Sequence, residues 1–262
     1  MEQLTRDVFV GRGTAVNWVL LREGRDLTLV DTGYPRDATG IVSAIEQIGH
    51  RLEDVAAVLL THAHVDHVGG LPALLAHHPV PVLAHPRELP NAHGDVHEQA
   101  TVLDVVRHSW RPRGARWLAA VVRAGGTAHP RLTTAGPFPT SGVLDVPGRP
   151  TPVLTGGHTT GHTAYLLADA GMIATGDALV TGHPLLPRQG PQLLPDFFAH
   201  DAAGASAALA DLAHQPADTV LPGHGDVWHG DLAEAAERAQ AVHDTRTPGA
   251  RPPFPPRRGR RT

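Results

Sequence analysis

The sequence predicts an α/β fold, on three observations. Short aliphatic and β-branched runs alternate with stretches whose apolar residues recur at helical spacing. One run, residues 55–60, is continuously apolar between polar flanks, the pattern of a strand buried on both faces of a sheet. At 262 residues and 41% apolar composition, the chain is long enough for one such domain with a sizeable core.

Taken in order, residues 7–10, 15–22 and 26–30 read as three strands separated by the turn material Gly11-Arg12-Gly13 and Glu23-Gly24-Arg25, an antiparallel meander. The third runs into Asp31-Thr32-Gly33, an acid at a strand end followed by a tight turn. Over residues 37–48, Ile41, Ile45 and Ile48 recur at i, i+4 and i+7, the stripe of an amphipathic helix. Strand 55–60 leads into Thr61-His62-Ala63-His64-Val65-Asp66-His67-Val68-Gly69-Gly70. A helix over 71–77 follows, with Pro72 in its first turn where a missing N–H costs little, and then a strand over 80–84. The histidine motif therefore leaves the C-terminal end of a strand, where open sheets place their ligands.

Residues 91–127 depart from this alternation. Stretches 97–109 and 115–124 are helical in pattern, with Val102, Val105 and Val106 on one apolar face and Trp117, Leu118, Val121 and Val122 on another. Arg111-Pro112-Arg113-Gly114 breaks the two. A helical hairpin inserted between sheet elements is expected here, a cap over the site that sets substrate preference, with Trp110 and Trp117 as candidates either for its entrance or for packing the core of the hairpin. Strands then resume at 143–146, 151–154, 163–168 and 172–174, and their ends carry Gly157-His158-Thr159, Gly161-His162-Thr163 and Thr175-Gly176-Asp177. A Pro-rich loop over 182–195, a helix over 202–214 and a strand over 218–221 lead to Pro222-Gly223-His224. The last helix spans 231–243.

Residues 1–245 are thus expected to form one domain. Residues 246–262, rich in proline and arginine, cannot bury enough apolar surface to offset their ordering entropy and are expected to be disordered. Pro252-x-x-Pro255-x-Arg257 in that tail has the form of a polyproline ligand, a form that such a composition produces by chance.

Composition narrows the chemistry. Cysteine is absent, so there is no disulfide, no thiolate nucleophile and no cysteine-type zinc site, and any metal must be held by imidazole and carboxylate. The net charge is −4, but the last 17 residues carry six arginines and no acid, which leaves 16 basic against 26 acidic residues in the body. An acidic body argues against a nucleic-acid partner. No run approaches the ~20 apolar residues of a membrane span, and the N-terminus lacks the apolar core of a signal peptide. A cytoplasmic protein acting on a small molecule is the expectation.

In His62-x-His64-x-Asp66-His67, alternate side chains His62 and His64 point one way on leaving the strand, while Asp66 and His67 turn toward an adjacent point. Two clusters of ligands suit two metal ions, and His158, Asp177 and His224, each at a strand end beside glycine, supply the remaining ligands.

This order of motifs, His62-x-His64-x-Asp66-His67, Gly157-His158-Thr159, Gly176-Asp177 and Gly223-His224, resembles the metallo-β-lactamase-fold hydrolases, most closely their glyoxalase II-like branch. The resemblance runs from about Val8 to Val242. It implies an αβ/βα sandwich with the metals at one edge between two sheets, His62, His64 and His158 on a first zinc ion, Asp66, His67 and His224 on a second, and Asp177 bridging them. Iron or manganese could take the place of zinc. Asp31 would orient a ligand histidine. A metal-bridging hydroxide would attack a thioester or ester carbonyl, with Asp66 handling the proton.

The departures bear on substrate. Gly156-Gly157 stands where the family often has Pro-Gly. The chain ends about twenty residues after its last predicted helix, whereas glyoxalase II carries a further helical region that helps bind glutathione. The lactonase branch places a tyrosine shortly after the bridging aspartate, a stretch that here reads Ala178-Leu179-Val180-Thr181. A lactonase or β-lactamase-like hydrolase is the alternative. A mononuclear iron persulfide dioxygenase using His62, His158 and Asp177 is another, and a non-catalytic metal-binding protein a third. His162 is expected to serve packing and hydrogen bonding, and His85 and His183 to be ordinary strand-end or loop histidines. The sequence names no substrate-binding residue.

Overall fold

The computed structural model describes residues 1–246. Of the tail expected to be disordered, Arg246 is ordered as the last residue of the final helix, and residues 247–262, with the Pro252-x-x-Pro255-x-Arg257 stretch, lie outside the described residues.

The expected meander is present. β1 (Glu2–Gln3), β2 (Val8–Arg12), β3 (Asn17–Glu23) and β4 (Asp26–Val30) pair antiparallel in sequence order. From β4 the sheet becomes parallel, adding β5 (Val55–Leu59), β6 (Val82–Ala84) and β7 (Gly136–Pro137). The second sheet contains β8 (Thr151–Leu154), β9 (Thr163–Leu167), β10 (Met172–Gly176), β11 (Thr219–Pro222) and β12 (Trp228–His229), ordered β12-β11-β10-β9-β8. Only β10 and β11 pair in parallel within it.

The helices in chain order are α1 (Ala38–Gln47), α2 (Val65–Val68), α3 (Leu71–His77), α4 (Leu89–His93), α5 (Val102–His108), α6 (Pro112–Ala124), α7 (Ala202–Ala213) and α8 (Leu232–Arg246). Three buried clusters stack these elements in four layers. Val10, Val19 and Leu59 of the first sheet meet Tyr165, Leu167 and Leu221 of the second. On the far side of the first sheet, Leu20, Leu29 and Val58 pack against Ile41 and Ile45 of α1 and Leu71 and Leu74 of α3. On the far side of the second, Ile173 and Val220 pack against Leu209 and Leu212 of α7 and Ala235 and Ala239 of α8. This is the αβ/βα sandwich. Ile41 and Ile45 are fully buried, so cutting either to alanine costs about 2–5 kcal/mol.

The topology explains where a site can form. Parallel strands β4, β5, β10 and β11 are followed directly by Asp31, by the Thr61–His67 loop, by Asp177 and by His224, so their C-terminal ends meet at one edge of the sandwich.

Three local expectations are corrected. The first hairpin helix starts at Val102, not at residue 97, because Thr101 caps it by accepting from Asp104 N at 3.2 Å, while Glu98 donates its N–H to Asn91 Oδ1 and offers its carbonyl to His64. Its partner α6 begins earlier than expected, on Pro112 at its first turn. Residues 143–146 are not a strand: Leu144 N donates to Pro150 O and Arg149 N to Val146 O, closing a loop that buries Leu144 in the inter-sheet core.

Candidate metal centre

The loop after β5 places its histidines through a one-turn helix that the spacing did not reveal. α2 begins at Val65, and His67 N and Val68 N both donate to His64 O. That turn sets Asp66 and His67 beside His224, while His62 and His64 group with His158, and the His62 and His67 rings lie 4.1 Å apart where the two groups meet. Gly223 brings β11 close enough for His224 to join: a Cβ there would lie 2.4 Å from Asp177 Oδ1, so only glycine fits.

The structure brings all seven candidate ligands together. Their ligand atoms form three groups, His62–His64–His158, His62–His67–Asp177 and Asp66–His67–His224, each within 4.8 Å. Asp177 sits at the centre, with Oδ1 3.3 Å from His67 Nε2 and Oδ2 3.4 Å from His158 Nε2 and 3.3 Å from His224 Nε2. Asp66 Oδ2 lies 3.4 Å from His224 Nε2 on the second side.

Hydrogen bonds on the far side of each ring decide which nitrogen faces inward. His67 Nδ1–H donates to Asp31 Oδ2 at 2.7 Å, and His224 Nδ1–H to Ala15 O at 2.6 Å. His62 Nδ1–H donates to Thr61 Oγ1 at 3.0 Å, which itself donates to Asp31 Oδ2 at 2.6 Å. His64 is turned the other way, its Nε2–H donating to Glu98 O at 2.8 Å. In its neutral form, the form that ligates a metal, each ring so fixed turns a lone pair inward.

A metal fits this cluster on two observations. His62 Nε2, His67 Nε2 and Asp177 Oδ1 are buried and have no hydrogen-bond partner, an arrangement that costs energy unless a ligand satisfies it. His64 Nδ1, left with a lone pair by the bond from Nε2 to Glu98 O, and His158 Nε2 face each other at 3.1 Å, close enough to share one cation.

Charges in the metal-free chain reflect the same crowding. Burial, reinforced by the neighbouring imidazoles, pulls His62 and His158 well below the usual histidine range. His67 and His224 go the other way: burial opposes their charge, but Asp177 outweighs it, with help from Asp31 and Asp66 at His67, and His224 is pushed up to about 10. At Asp66 and Asp177 burial is likewise outweighed by His67 and His224, and both carboxyls lie far below the usual range.

Several residues around the cluster were not singled out by the sequence. Glu88, fully buried, accepts from Ala63 N at 2.9 Å, Thr159 Oγ1 at 2.6 Å, Gly161 N at 3.1 Å and Asn91 Nδ2 at 2.8 Å, tying the His62–His64 loop to the His158 loop. Burial pushes its carboxyl up to about 7. Glu98 holds His64 by its carbonyl and the His158 loop by its carboxylate, 2.6 Å from Thr160 N. No sequence pattern marks either residue, because their partners are set by the fold. His162 has the packing role expected of it, accepting from Asp177 N at 3.0 Å and meeting Thr155 Oγ1 at 2.8 Å.

The cluster opens into a cavity of about 710 Å³ roofed by α5 and α6. His183, expected to be an ordinary loop histidine, lines it, with its ring 5.2 Å from that of His224 and 5.1 Å from Trp117. His183 Nδ1 accepts from Leu185 N at 3.1 Å, which leaves the ring proton on Nε2. Burial, aided by His224, lowers its pKa to about 3, so the ring is neutral at physiological pH. Tyr34, 4% exposed, also lines the cavity, and its phenol has no hydrogen-bond partner among the described residues. His85 and Trp110 lie outside the cavity lining, and Trp110 is 75% exposed.

A four-layer αβ/βα sandwich with histidine and aspartate groups gathered at the strand ends defines a class of metallo-hydrolase. The chain belongs to the metallo-β-lactamase superfamily, whose sequence profile, described as "Metallo-beta-lactamase superfamily", matches residues 11–224. It is 26% identical over 236 residues to the probable metallo-hydrolase YflN of Bacillus subtilis, covering 84% of this chain and 85% of that one. It is 32% identical over 245 residues to a hydroxyacylglutathione hydrolase of Halorhodospira halophila, covering 90% and 75% of the two chains. Against several other curated relatives the matched part is about half of their length or less. Among solved structures, a metallo-beta-lactamase family protein of Thermus thermophilus superposes with a TM-score of 0.67 at 24% identity, covering 93% of this chain and 81% of that one. No described helix is long and apolar enough to cross a membrane.

Proposed function

We propose that the chain is a binuclear zinc hydrolase of the cytoplasm that cleaves a thioester or ester of a small molecule. One observation carries this reading: the His62–His64–His158 and Asp66–His67–His224 groups are joined through His62, His67 and the central Asp177, with buried inward-facing atoms that have no partner. His62, His64 and His158 would hold a first ion, Asp66, His67 and His224 a second, and Asp177 would touch both. When bound, such a pair of ions supplies an acidified water at neutral pH and polarises the substrate carbonyl.

The chain's own groups do the rest. Asp31 and Thr61 fix the imidazoles so that little reorganisation accompanies reaction. Asp66, ionised and on the cavity wall, is placed to take the nucleophile's proton. His183 Nε2–H and the Tyr34 phenol face the same cavity and can donate to the carbonyl or leaving-group oxygen. Burial, with Asp66 and Asp177 nearby, raises the Tyr34 phenol well above its usual range and keeps it a donor.

Convergence of Asp66, His67 and His224 as a group of their own favours two ions over the single iron of a dioxygenase. The unpartnered Tyr34 phenol favours a lactone as the second reading, since it offers from the β4 turn the carbonyl-facing hydroxyl that residues 178–181 lack.

The test is turnover by zinc-loaded protein across thioesters, simple esters, lactones and β-lactams. Thioester or ester turnover well above the others supports the reading. Hydrolysis of none of them, or oxygen consumption with a persulfide, overturns it.

A further inference from the structure

The roof of the cavity is apolar where a core-forming hairpin would have no reason to be. Val102, Val106 and Val122 line the cavity yet are 71%, 49% and 52% exposed, so α5 and α6 turn valines toward an open space instead of toward the sandwich. Opposite them, Leu194 and Phe198 of the loop after Asp177 complete the wall, and the floor is the metal cluster itself. Exposed apolar side chains converging from two elements on one cavity mark a ligand surface.

Cations are scarce in the same space. The chain has no lysine, and Arg131 is the single arginine on the lining among the described residues. It is exposed, and its guanidinium is engaged with Gly94 O at 3.1 Å. Arg113, from α6, is directed at the backbone of the 183–186 loop, 3.1 Å from Leu186 O. A substrate carboxylate lying against the α5–α6 valines, away from the metal cluster, would lose its hydration without gaining a partner.

We propose that the substrate carries an extended, uncharged hydrocarbon chain, which lies against the α5–α6 valines while its carbonyl reaches the metal cluster. This rests on the hydrolase reading for the position of the carbonyl, but the occupancy of the cavity by hydrocarbon can be measured without turnover.

The probes are N-methyl alkanamides with 4 to about 10 acyl carbons, neutral analogues that resist hydrolysis, titrated by calorimetry into the full chain with and without zinc. Each added methylene should tighten binding about three- to fourfold until the cavity is filled, from the roughly 0.8 kcal/mol of a buried CH₂. Val106→Glu, at a half-exposed position outside the core, should abolish most of that gain while leaving the shortest amide, the thermal midpoint and the metal content unchanged. Affinity independent of chain length, or tighter binding of analogues ending in a carboxylate, overturns the proposal. Chain-length-dependent binding without hydrolysis of any ester or thioester would sink the hydrolase reading alone, and hydrolysis with flat chain-length dependence would sink the cavity proposal alone.

Discussion

The carboxylate of Asp31 accepts the Nδ1–H of His67 at 2.7 Å, and this bond turns His67 Nε2 toward Asp177 and the candidate metal ligands. Asp31 also accepts from Thr61 N at 2.9 Å and from Thr61 Oγ1 at 2.6 Å, so one carboxylate orients His67 directly and His62 through a hydroxyl. Its backbone lies at φ 61°, a left-handed conformation that costs a non-glycine residue energy and persists because these bonds hold it. Asp31→Asn would keep the shape but replace one acceptor oxygen with a donor. Zinc affinity should fall about 10- to 100-fold, read by competition with a chromophoric chelator, with secondary structure unchanged by circular dichroism. Unaltered affinity would remove Asp31 from the site.

Metal uptake should release protons, and the sign follows from the cluster's own charges. Without metal, His67 lies well above the usual histidine range and His224 near 10, so both carry protons at pH 7, whereas His62 and His158 are already neutral. Ligation requires neutral imidazole. Zinc addition at pH 7 should therefore release about two protons per chain, measured with a weakly buffered indicator, and affinity should rise with pH up to about 10. Those raised values stabilise the metal-free fold most at low pH, and the contribution fades as pH climbs through them. Absence of proton release would contradict the arrangement.

Glu88 should leave its own mark on stability. Its folded-state pKa is pushed from 4.5 up to about 7 by burial, so between those values the folded chain binds more protons than the unfolded one. Stability from this group is then greatest at low pH and declines as pH rises from about 4.5 to 7, by on the order of 3 kcal/mol. Glu88→Gln should flatten that slope in urea unfolding measured across the interval. It should also lower metal affinity, since an amide cannot accept four donors. A slope identical in both proteins would show that Glu88 does not titrate there.

His183→Ala separates chemistry from metal binding. Its Nε2–H has no partner among the described residues and faces the cavity, which suits a donor to developing negative charge. Loss of one such donor typically costs about 10²- to 10³-fold in kcat, and the metal content should stay unchanged. If KM rose instead with kcat intact, His183 would serve binding rather than the transition state.

The candidate ligands are legible because each follows an apolar run at a strand end, and the ends of β5, β8, β10 and β11 meet at one edge of the sandwich. The two-sheet sandwich was legible only through the order of those motifs. Composition hides β7, a Gly-Pro pair that joins the sheet through backbone bonds to β6. The reverse failure occurs at residues 143–146, where aliphatic residues suggested a strand but serve to bury Leu144 from a loop. Glu88 and Glu98 were invisible for a different reason: their partners lie up to 73 positions away, and a lone glutamate carries no periodicity. The place of His183 on the cavity lining comes from the fold, and the bond from Leu185 N that sets its tautomer is made inside one loop, so neither shows in its sequence neighbours.

The central claim, two ions held by seven residues, is tested most directly by elemental analysis of protein purified without added metal. Two zinc ions per chain, falling to about one when His224 is replaced by alanine, is the expected result. One iron per chain, or zinc content indifferent to His224, would contradict it.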